Sequence, residues 1–232
     1  MAGNSTNHQG GLMRSIFLLA AALILIATVN PAQVCAKGMQ DDIDQAVTVF
    51  KRFQAIPEQG IPPRVLRDAK GLAFLTVIKA GFVISGRGGT GVLVARTSKG
   101  WSGPSAIGTG GAGWGLQIGA QVTEFVIVLN TNDAVKAFSK EGNVQLGAGV
   151  SVAAGPVGRS VEAGVTPVAA VYTYSRSQGL FAGISLEGTV VATRSEANEA
   201  YYGHPVHPDD ILSGKIPPPK GARKLQAVLE KY

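Results

Sequence analysis

From Gly71 onward the apolar residues of this chain recur at every second position, and glycine interrupts them at short intervals. Val144, Leu146, Ala148, Val150 and Val152 alternate with Gln145, Gly147, Gly149, Ser151 and Ala153, as a half-buried strand does. Leu180, Ala182, Ile184 and Leu186 alternate in the same way ahead of Val190 and Val191. Residues 122–129 form a nearly continuous apolar strand that ends at Asn130-Thr-Asn-Asp133, a good cap for a helix over 134–139. The pattern predicts seven to nine strands with one inserted helix. With 31 glycines and aromatics at only 6%, it favours an antiparallel core rich in turns, a sandwich or barrel-like sheet within an α+β fold.

Gly86-Arg-Gly88-Gly-Thr-Gly91 matches the glycine fingerprint with which dinucleotide-binding folds hold a pyrophosphate. That chemistry needs a helix N-terminus directly after the glycines, because its free amides hold the phosphates. Val92, Leu93, Val94 and Ala95 follow instead, a run with strand character. An acidic residue about 20 positions on, to hold the ribose, is also missing, since no Asp or Glu stands between Asp68 and Glu124. Gly108-Thr-Gly110-Gly-Ala-Gly113 repeats the pattern, again with no helix behind it. Nucleotide binding is disfavoured, and no cofactor is expected. The glycines read as turns and bulges between strands.

Before the strands, residues 16–29 are an apolar run preceded by Met13 and Arg14 and followed by Pro31, with Val34 and Ala36 at small-residue positions. A spanning helix needs about 20 apolar residues. The geometry predicts a signal peptide or signal-anchor over 1–36, a mature domain over 37–232 and an exported or secretory, membrane-associated address; a peripheral cytoplasmic protein is the alternative. Cys35 is the single cysteine and lies in that leader, so no disulfide is expected in the mature chain. Residues 41–54 place Ile43, Ala46, Val47, Phe50 and Phe53 at helical spacing, with acids in the first turn and Lys51 and Arg52 near the last. Such a helix packs on the core or lies on a membrane surface. Arg64 opens a short helix reaching Lys70, and after Arg194 short helices are expected over 196–202, 209–212 and 223–232.

Groups able to converge for catalysis are scarce. His204 and His207 flank Pro205 near Asp209 and Asp210 without an evident third ligand, so no metal site is assigned. No nucleophile elbow occurs, and a non-enzymatic protein is expected. The clearest chemical feature is that residues 69–123 carry no carboxylate but do carry Lys70, Lys79, Arg87, Arg96 and Lys99. Uncompensated cations attract phosphates or acidic protein faces if they share a face, and do little if they are scattered. With Lys51 and Arg52 they form the candidate lipid-binding set. Nucleic acid is not expected as a partner, because no recognised motif accompanies the charge.

Several segments resemble the SYLF domain of actin-regulating, phosphoinositide-binding proteins of the Las seventeen-binding type, which also occurs in exported bacterial proteins. They include Ala69-Lys-Gly-Leu-Ala73, Lys79-Ala-Gly-Phe82, Ser85-Gly-Arg-Gly88, Gly91-Val-Leu-Val-Ala-Arg96 and Trp101-Ser-Gly-Pro-Ser-Ala-Ile107. Phe125-Val-Ile-Val-Leu-Asn130, Ala154-Gly-Pro-Val-Gly-Arg159, Tyr174-Ser-Arg-Ser-Gln-Gly-Leu-Phe-Ala-Gly183 and Ile211-Leu-Ser-Gly214 follow in family order. The resemblance implies a module that recognises anionic phospholipid membranes through an amphipathic helix and a basic surface, and in some members binds actin filaments. It implies no catalytic residues.

Overall fold

The computed structural model describes residues 38–55, 60–139, 143–146, 151–155, 169–179 and 189–232. By its internal contacts the chain divides into Met1–Ala36 and Lys37–Tyr232, and the described residues all belong to the second unit. The apolar run at 16–29 and the alternating segment at 180–186 lie outside them.

Helix α1 spans Met39–Gln54 and α2 spans Pro63–Asp68. Next come β1 (Gly71–Thr97), β2 (Gly100–Trp101), β3 (Ser105–Leu129), α3 (Asn132–Ser139), β4 (Asn143–Gln145), β5 (Val152–Ala154), β6 (Val171–Gly179) and β7 (Val190–Thr193). Helices α4 (Ser195–Tyr202) and α5 (Pro208–Leu212) follow, then a 3₁₀ turn at Lys220–Ala222 and α6 (Arg223–Leu229). The α+β architecture with helices at both ends is as expected, with seven strands among the described residues. One pairing departs from a wholly antiparallel core: β5 runs parallel to β6. The α3 cap is supplied by Thr131, whose Oγ1 accepts from the Ala134 amide at 3.1 Å. Gly203 closes α4 at φ 80°, a conformation that favours glycine, and its amide donates to the Glu199 carbonyl.

The sheet is organised around two long antiparallel strands. β1 and β3 pair from Gly71↔Leu129 to Leu93↔Ser105, with one irregularity between Phe82 and Ile84. The C-terminal half of β3 also pairs with β6, and its N-terminal half with β7, which in turn holds β4. Beyond the irregularity, the second half of β1 lies against the first: the Arg96 amide donates to the Lys70 carbonyl at 2.8 Å. At this crossing the fingerprint glycines find their use. A β-carbon on Gly91 would overlap the Phe74 carbonyl, and one on Gly89 would stand 2.6 Å from the Thr76 oxygen. Two backbones meet where a nucleotide fold would hold a phosphate.

Side chains alternate along the strands, so each face of the sheet builds its own core. Leu72, Phe74, Val92, Val94, Val126 and Val128 point to the side covered by α1, α2 and α6. Leu75, Val77, Leu93, Phe125, Ile127 and Leu129 point to the other, with Phe138 of α3 and Leu212 of α5. The stripe of α1 lies on the first core, with Ile43 0% and Phe50 1% exposed. Phe50 meets Phe74 and Tyr232 edge to face, at centroid distances of 6.0 and 5.6 Å. Burying one such side chain is worth about 1.5–3 kcal/mol. Of the two places expected for this helix, the core has its apolar face.

Candidate functional site

The seven cations expected to act together divide into three groups. Lys70, Arg96 and Lys99 gather where the two ends of β1 meet: the Lys70 carbonyl holds the Arg96 amide, and Lys99 stands in the turn to β2. Lys70 and Lys99 are exposed and make no ion pair among the described residues. Arg96 is occupied: its guanidinium lies 4.1 Å over the Trp101 ring and donates to the Leu66 carbonyl at 3.2 Å. Burial holds its pKa below the usual arginine value. Lys79 stands opposite Gln121 and Arg87 opposite Gly111 along the β1 and β3 ladder; both are half-buried, and Lys79 has an interaction of its own. Lys51 and Arg52 lie on α1, and only Lys51 is unpaired among the described residues.

Arg52 finds a carboxylate that local sequence could not assign to it. Its Nη1 donates to Oε1 of Glu124, which also accepts from Gln45 Nε2 at 3.1 Å. Glu124 is 5% exposed, and its Oε2 has no partner among the described residues. Across the strands Glu124 stands between Thr76 of β1 and Arg176 of β6. The next rung pairs Ile78 with Val122, and the one after pairs Ala80 with Ala120. Those four side chains share the face covered by α1, continue past its end, and are exposed. This aliphatic strip, with a buried carboxylate at one end and Arg176 beside it, escaped the sequence reading. Ile78 and Val122 sit inside apolar runs, and only the register sets them side by side.

On the opposite face the same strands turn polar. Val77 and Thr123 are followed by Lys79 and Gln121, and Thr123 Oγ1 lies 3.1 Å from Ser177 Oγ of β6. Gln121 is 1% exposed, with neither carboxamide atom paired among the described residues. No group of three or more His, Cys, Asp or Glu able to hold a metal occurs among the described residues. His204 Nδ1 lies 3.1 Å from the neighbouring Pro205 carbonyl.

Comparisons with known proteins bear on what this surface serves. Residues 110–232 match the family model described as Ysc84, Las17-binding protein actin regulator. This chain belongs to the Ysc84 family. LAS seventeen-binding protein 3 of Saccharomyces cerevisiae is 53% identical over 178 residues, which cover 75% of this chain and 39% of the relative. Protein YSC84 of the same organism is 51% identical over 178 residues, covering 75% and 38%. The human SH3 domain-containing YSC84-like protein 1 is 44% identical over 203 residues, covering 84% and 59%. The chain thus spans about two fifths of the yeast relatives and about three fifths of the human one.

Membership of the Ysc84 family bears out the SYLF resemblance and corrects one expectation. Residues 1–36 predict an exported or secretory address. The matching family model is described as a Las17-binding actin regulator, and the relatives as LAS seventeen-binding and YSC84-like proteins, which overturns that address. The Ysc84 family is of a binding and regulating type, and its description names Las17 and actin rather than a lipid.

Proposed function

We propose that this chain is a non-enzymatic binding module of actin regulation, which engages Las17-type proteins or actin filaments through its surface. The observation that carries this reading is the 53% identity to LAS seventeen-binding protein 3 within a family described as actin regulators. The arrangement of the described residues agrees with it: an exposed aliphatic strip, exposed cations, and no cluster of His, Cys, Asp and Glu. The test is co-sedimentation of the full chain with filamentous actin, beside a pull-down with purified Las17. Saturable binding in either assay supports the reading; no binding in both overturns it.

A second reading, recognition of anionic phospholipid headgroups, is favoured by the gathering of Lys70, Arg96 and Lys99 where the two ends of β1 meet. Lys51, Arg52, Lys79 and Arg87 would contribute less, Arg52 because Glu124 already neutralises it. Two exposed lysines flanking a stacked arginine attract phosphates, with a strength that falls as salt rises. Flotation with phosphoinositide vesicles tests this reading. Unchanged flotation of a Lys70→Glu, Lys99→Glu variant would remove it.

A further inference from the structure

Scattered surface aliphatics are ordinary and need no explanation. Ile78 and Val122 are not scattered: 36% and 40% exposed, they face each other across β1 and β3 and are extended by exposed Ala80 and Ala120. At the end of this strip nearest α1, Glu124 spends one carboxylate oxygen on both Arg52 and Gln45 and buries the other without a donor among the described residues. A buried acceptor of this kind is costly unless something donates to it. Arg176, directly across from Glu124 on β6, is exposed and makes no ion pair among the described residues.

We propose that this strip is the docking surface for an acidic, aliphatic segment of a polypeptide partner. Three chemical demands define the occupant. Aliphatic side chains cover Ile78 and Val122, an N–H group donates to Oε2 of Glu124, and a carboxylate pairs with Arg176. A phosphate surface meets only the last of these, since phosphate oxygens neither cover the aliphatic side chains nor donate to Oε2 of Glu124. A polypeptide carries backbone N–H groups and can meet all three. The inference rests on the reading of this chain as a protein-binding module and says where on the sheet that binding occurs.

The experiment uses the full chain and a short synthetic peptide alternating valine and aspartate, with a valine and lysine counterpart, followed by fluorescence anisotropy. The acidic peptide is expected to bind saturably, and its basic counterpart to bind about tenfold or more weakly. Ile78→Thr with Val122→Thr keeps β-branched residues in the strands, and Arg176→Gln removes one exposed charge. Each is expected to weaken the acidic peptide about tenfold, while Lys136→Gln, a charge-matched control on α3 over the opposite face of the sheet, leaves it unchanged. The proposal is overturned if neither peptide binds, if both bind alike, or if the strip variants bind as the wild type does. It is also overturned if those variants alter only flotation with phosphatidylserine vesicles, or only the dissociation of a dimer in sedimentation equilibrium. Actin pelleting of the wild type separates the two levels. Wild-type pelleting that the strip variants leave intact removes the strip and keeps the module; peptide binding without any actin or Las17 binding removes the actin reading and keeps the strip.

Discussion

Arg194 Nη1 stands 2.8 Å from Oδ2 of Asp42, joining the residue that precedes α4 to the first turn of α1 across 152 positions of sequence. The other Asp42 oxygen accepts from Thr90 Oγ1 at 2.7 Å, in the glycine segment where β1 crosses itself. One carboxylate, 5% exposed, therefore fastens the first helix to the arch of the sheet and to the C-terminal helices. Removing one partner of a buried pair leaves the other charge uncompensated. Because the Arg194 side chain keeps 20% exposure, the cost of Asp42→Ala is expected at about 2–3 kcal/mol, below the fully buried range. Urea denaturation checks this. Asp44→Ala, on the same helix but in an exposed pair with Lys224, is expected to cost less than about 0.5 kcal/mol.

The glycines of the fingerprint are expected to separate by what their backbones touch. Gly91→Ala drives a methyl group into the Phe74 carbonyl, backbone against backbone, and is expected to cost about 3 kcal/mol or more. At Gly88 nothing lies within 4 Å of the added atom, so Gly88→Ala should stay within about 0.5 kcal/mol of the wild type. Thermal melts of the two variants decide it. Equal sensitivity at both positions would mean that the crossing is not what the motif serves.

Gln121 buries a carboxamide that is unpaired among the described residues, on the polar rung opposite Lys79. Methionine has nearly the same length and no polar group, so Gln121→Met is expected to raise stability by about 1 kcal/mol in urea. A loss of stability would show that the carboxamide is engaged.

Four tyrosines tie stability to alkaline pH. Burial pushes the phenols of Tyr172, Tyr174, Tyr201 and Tyr202 above the usual value of 10.0, with Tyr172 adding to the rise at Tyr174, Asp44 at Tyr201 and Tyr201 at Tyr202. Each group is raised in the folded state, so the unfolded chain loses its protons first as pH rises. Stability is then complete below about pH 10 and declines as pH climbs toward the folded values. Circular dichroism and phenolate absorbance recorded together through that range should show ionisation of these tyrosines accompanying unfolding. Ionisation well before any loss of structure would contradict their burial.

Sequence alone set what local rules govern. The stripe of Ile43, Ala46, Phe50 and Phe53, the Asn130-Thr-Asn-Asp133 cap and the apolar run at 122–129 each state a helix or strand through neighbours a few residues away, and these appear where expected. Of the period-two runs, 144–152 is described only as β4 and β5 at its two ends, and 180–186 lies outside the described residues. The same local logic read a strand rather than a helix after the glycine fingerprint, and β1 runs on through it to Thr97. Long-range geometry decided the rest. Whether Gly91 is a turn or a crossing depends on Phe74, the partner of Arg52 is Glu124 of another element, and the strip exists because register sets Ile78 beside Val122. Periodicity tells a side chain which face it takes; only pairing across the sheet tells it whom it meets there.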